Sequence, residues 1–96
     1  YDCQSDRNDL RRGEAKLRSE SNTGVSTAVL SAIMAMEDRC VTSVEGIIDE
    51  DVDQSIRNLT RIGSQAMNET DKMVLDIMTH KDVEWKIRSL EKKNGE

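Results

Sequence analysis

Ninety-six residues with no Pro, no Phe, one Trp and one Tyr, 34% of them charged, leave only aliphatic side chains to build a core. So short a chain buries about 60–65% of its unfolded surface, and an associated chain or a covalent staple is expected to supplement it. The net charge of −5 gathers in residues 25–53, where Glu37, Asp38, Glu45, Asp49, Glu50, Asp51 and Asp53 face Arg39 alone; this argues against nucleic-acid or anionic-membrane binding, which needs a basic face.

Residues 1–22 read as a polar N-terminal arm with a short helix from about Asp9 to Arg18, in which Leu10 and Leu17 lie seven apart on one face. Residues 23–93 read as a helical module, with helices at about 25–48, 52–78 and 82–93. Ser21, Asn22 and Thr23, followed by Gly24, form a break rich in capping types. Beyond it the small residues Thr27, Ala28, Ser31, Ala32 and Ala35 favour close approach of a second backbone.

One stripe then dominates. Val29, Ile33, Met36, Cys40, Val44, Ile48, Val52, Ile56, Leu59, Ile62, Ala66, Met73 and Ile77 follow at helical spacing, with Thr70 as the polar gap. From Val41 to Ile77 ten steps cover 36 residues, or 3.6 per step, the straight-helix value. Two forms satisfy this pattern. Asp49, Glu50 and Asp51 favour a helix start, and Asp51 with Gln54 resembles a capping box. Both point to an all-α small bundle built on a long helical hairpin. The unbroken phase through the acidic run points instead to one elongated helix of about 50 residues in a coiled-coil-like oligomer. The hairpin is favoured. Thr79, His80, Lys81 and Asp82 read as a kink or cap, after which Val83, Ile87 and Leu90 share a face and Trp85 lies elsewhere.

No stretch of eighteen apolar residues marks a membrane span. His80 is the only histidine, and the motifs of metal, phosphate or nucleophile sites are missing. Asp49, Asp51 and Asp53 lack the Gly and Glu that would complete a calcium loop. No cofactor and no metal are expected. Asn58-Leu59-Thr60 and Asn68-Glu69-Thr70 match the glycosylation sequon but fall on predicted helix. Cys3 and Cys40 are compatible with one disulfide, worth about 4 kcal/mol on the loop-entropy model.

The resulting expectation is a non-enzymatic interaction module, a homo-oligomer or a docking partner for another helix. Its stripe residues would be Ile33, Val44, Ile48, Val52, Ile56, Leu59, Ile62 and Ile77. On this reading Ile56 and Ile62 are buried, whereas Asp53 and Arg61 tolerate change. The alternative is a small exported binding or inhibitor protein, stapled by Cys3–Cys40. A start at Tyr1 fits a processed chain or a fragment. The compartment stays open, and a disulfide would favour an extracytoplasmic or secreted one.

Overall fold

The computed structural model describes residues 3–20, 24–37, 39, 50–62 and 66–95. Among them are four α-helices and no strand: α1 (Cys3–Glu20), α2 (Gly24–Met36), α3 (Glu50–Ile62) and α4 (Glu69–Gly95). The all-α bundle is therefore the observed class. The elongated single helix is not, because α2 and α3 are separate helices packed on each other.

Each helix follows from its local sequence. On α1, Asp6, Leu10, Gly13 and Leu17 recur at three- and four-residue steps and form the buried face. Gly13 lets this helix come close: a Cβ there would stand 3.1 Å from Ile33 Cδ1 and 3.6 Å from Val74 Cγ2. On α2 the buried face is Ser26, Val29, Ala32, Ile33 and Met36, and on α3 it is Val52, Ile56 and Leu59. Glu50, Asp51 and Asp53 in the first turn of α3 and Arg61 in its last turn match the helix macrodipole. Asp51 therefore sits inside the helix and does not cap it.

The largest departure from the sequence reading lies between α3 and α4. The break includes Met67 and Asn68, just before α4, and does not fall at Thr79–Asp82. Asn68 caps α4: Asp71 N donates to Asn68 Oδ1 (2.8 Å), and Asn68 N donates to Asp71 Oδ2 (3.3 Å). This reciprocal pair is the capping box of the chain, built from Asn and Asp. Once started, α4 runs for 27 residues. No Pro halts it, and the i,i+4 pairs His80–Glu84 and Asp82–Lys86 support it through the expected kink.

The new start changes the phase of the stripe. Ala66 is exposed and Met73 is 38% exposed, while Met67, Val74 and Met78 take the core positions. Trp85, which the sequence placed off the apolar face, is buried. α4 packs against α1, α2 and α3, and α2 packs against the other three. At 1.5 Å per residue α4 is about 40 Å long, which sets the long axis of a 44 × 25 × 16 Å body.

Candidate functional site

The buried face of α4 carries polar groups among its apolar ones. Met67, Asp71, Val74, Met78, Asp82, Trp85 and Ser89 are all buried, at steps of three or four residues. Asp71 is fully enclosed. Its carboxylate accepts from Ser26 Oγ on α2 (2.7 Å) as well as from the Asn68 backbone, so the first turn of α4 is fixed to α2.

One helical turn beyond Met78, α4 meets α1. Lys81 Nζ donates to Asp6 Oδ1 (2.9 Å) and Asp9 Oδ2 (2.8 Å). Trp85 Nε1 donates to the other oxygen of Asp6 (2.9 Å). Burial pulls the Lys81 pKa down, but its hydrogen bonds and charge interactions with Asp9 and Asp6 outweigh that and hold it above the ordinary lysine range. Lys81 is therefore a fixed cation at neutral pH and not a nucleophilic amine. On the side facing α3, Lys86 joins Asp53 and Asp82. Asp53 also pairs with Arg57 (2.9 Å). The hydrogen bond from Lys86 lowers the Asp53 pKa, whereas burial raises that of Asp82. Asp53 is thus a tethered residue and not the dispensable surface charge that the sequence suggested.

Between α1 and α4 lies an open cleft of about 540 Å³. Asp9, Arg12, Gly13 and Lys16 form one wall; Met73, Asp76, Ile77, His80 and Lys81 form the other. A second groove of about 320 Å³ separates α2 from α3. Ala28, Ser31 and Ala35 line it together with Ile62, which is 45% exposed. The small residues of α2 thus open a groove, and of them Ala32 alone is buried apart from Ser26 at the same face.

The stripe residues named from sequence fall in different places. Ile33, Val52, Ile56 and Leu59 are in the core of the bundle itself, and Ile77 is half-buried against it. Ile62 is on the rim, a correction to its expected burial. Val44, Ile48 and Cys40 lie outside the described residues. Cys3 is half-buried at the head of α1. The amide of Asn68 is used in capping, and Asn58 Oδ1 accepts from Gln54. Among the described residues no cluster of His, Cys, Asp and Glu is arranged to hold a metal ion, and no helix is long and apolar enough to cross a membrane.

Comparison with known proteins gives the decisive observation. The family model described as "Serine dehydratase alpha chain" matches residues 20–76, more than half of the chain. The chain belongs to the serine dehydratase alpha chain family. Over 59 residues it is 98% identical to a UPF0597 protein of Bacteroides thetaiotaomicron and 92% identical to one of Bacteroides fragilis. Over 60 residues it is 45% identical to a UPF0597 protein of Yersinia enterocolitica. In each case the match covers 62% of this chain but only 14% of the relative. No solved structure matches the chain significantly.

Membership in this family overturns the non-enzymatic interaction module and the exported inhibitor alike, and it points to an enzyme component. The error has a physical origin. The absence of catalytic motifs from ninety-six residues speaks only for those residues.

Proposed function

We propose that this chain is a helical component of a serine-dehydratase-type enzyme, supplying framework to a larger catalytic unit. The match over residues 20–76 carries this reading, because it spans α2, α3 and the start of α4, and so takes in most of the apolar core. The described groups are suited to holding helices together: Lys81 is committed to two carboxylates and Asp71 to a cap. The reacting groups are accordingly assigned to the remainder of the enzyme, which is the partner expected for this chain. The α2–α3 groove, with small residues on its α2 side and exposed Ile62 on its α3 side, is the surface offered to it. Within the same proposal Cys3 pairs with Cys40, supported by the absence of a free thiol among the described residues. Intact mass under non-reducing conditions checks that pairing.

Elimination of water from serine leaves an enamine that hydrolyses to a 2-oxo acid and ammonia, and both are measurable. The test uses the Bacteroides thetaiotaomicron relative whole, with the matched stretch deleted, and with this chain then added in trans. Serine-dependent ammonia release by the whole protein, lost on deletion and regained on addition, is the expected outcome. A folded whole protein that is inert towards serine overturns the reading.

A further inference from the structure

We infer that the cleft between α1 and α4 binds a free α-amino acid with an aliphatic side chain. The argument starts from which charges in the cleft are already used. Asp9 is held by Lys81 and Arg12. His80 is paired with Glu84 (2.8 Å). Two charges remain: Lys16 on the α1 wall and Asp76 on the α4 wall, neither in an ion pair with any described residue nor with each other. An unpaired ammonium on one wall and an unpaired carboxylate on the other are complementary in charge to a zwitterion.

The uncharged part of the two walls supplies the rest of the selectivity. Gly13 contributes bare backbone, and Met73 and Ile77 contribute partly exposed apolar surface beside the two charges. Met73 is 38% exposed although it lies on the α4 face towards α1, so it is available to a ligand. A volume of about 540 Å³ is within the usual range for small-molecule sites. The α1 wall precedes residue 20 and lies outside the family match, whereas Met73 and Asp76 on the α4 wall lie within it.

The test titrates isotope-labelled chain by amide-resolved NMR with L-leucine, L-serine, N-acetyl-leucine and leucinamide. Leucine is expected to saturate shifts confined to residues 12–17 and 73–80. Serine, lacking the aliphatic part, is expected to bind about tenfold more weakly. Blocking either charged end, or substituting Lys16→Met or Asp76→Asn, is expected to weaken leucine about fivefold, the most that an exposed pair provides. Lys16→Met should no longer distinguish leucine from leucinamide, and Asp76→Asn should no longer distinguish it from N-acetyl-leucine. Both positions are exposed, so the variants remain folded, and Arg61→Gln on α3 serves as the control. Equal binding of leucine and its blocked forms, or no shift at millimolar leucine, overturns the inference.

Discussion

The bundle is held together in two different ways. Where α2 meets α3, the contact is aliphatic: Val29, Ile33 and Met36 share one core with Val52, Ile56 and Leu59. Where α1 meets α4, a short apolar seam of Leu10, Gly13 and Leu17 is joined to a polar lock of buried Asp6, half-buried Lys81 and buried Trp85. The first contact lies inside the family match and the second mostly outside it. Aliphatic packing tolerates rearrangement of shape but not intrusion of charge. A polar lock behaves oppositely: it is specific in geometry, and it fails when one member is removed.

The largest expected effect is on the aliphatic side. Ile56→Asp places an unpaired carboxylate at a position 5% exposed, at a cost of several kcal/mol, comparable to the whole stability of a small domain. Loss of the cooperative thermal transition in far-UV circular dichroism is expected. Ile62→Asp, six residues on at a rim position, should leave the transition in place. If the two behave alike, the division between core and rim is wrong.

On the ionic side, Lys81→Met removes the cation but leaves Asp6 and Asp9. The pair is partly buried, so its loss costs about 2–3 kcal/mol, below the ~3–5 of a fully enclosed pair. Hydrogen exchange should report it as loss of protection in α1 before α2 and α3, and the Trp85 emission should shift to the red as its environment wets. Uniform loss across all helices would show that the two contacts are one cooperative unit. A smaller effect, about 1–3 kcal/mol, is expected for Ser26→Ala, which removes one of the partners of enclosed Asp71. Urea denaturation measures it.

The smallest effects are those of pH, and they have opposite signs at two neighbouring carboxylates. The Asp53 pKa is lowered in the folded chain. Its contribution to stability is present above the ordinary aspartate value of 3.8 and is lost as pH falls through the folded value. The Asp82 pKa is raised. Its contribution is present below 3.8 and is lost as pH rises through the folded value. Asp53→Asn should therefore destabilise at pH 7 by about 1–2 kcal/mol, with the difference vanishing in acid. Asp82→Asn should be neutral or slightly stabilising at pH 7. Melting temperatures between pH 3 and 7 decide the matter.

The legibility of this chain follows the same division. Leu10 and Leu17 on one face of α1, and Val29, Ile33, Val52, Ile56 and Leu59 as helical positions, were readable because apolar periodicity reports burial directly. The buried face of α4 has a period as regular as that of the stripe. Met67 to Ser89 takes six steps over 22 residues, but Asp71, Asp82 and Ser89 are among its members, and a search for apolar residues passes over them. Trp85 together with two aspartates at core spacing was the available signal. The cap at Asn68 was hidden for a related reason, since its box uses Asp where Glu or Gln is usual. The family was not legible from motifs, because the described hydrogen bonds and ion pairs join helix to helix, and such contacts leave only periodicity behind.

The position of α4 in the chain has a consequence for synthesis. It touches all three others, as α2 also does, and it is made after them. The bond from Trp85 to Asp6 spans 79 residues, so α1 waits for its partner through nearly the whole translation of this segment. Until Lys81 and Trp85 leave the ribosome, Asp6, Leu10 and Leu17 have no α4 surface to close on. The α1–α2 and α2–α3 contacts, local in sequence, form first and leave the face that α4 will cover open to other chains. A pause in translation before residue 81 would therefore lengthen the time during which Val29, Ile33 and Met36 are uncovered on that side.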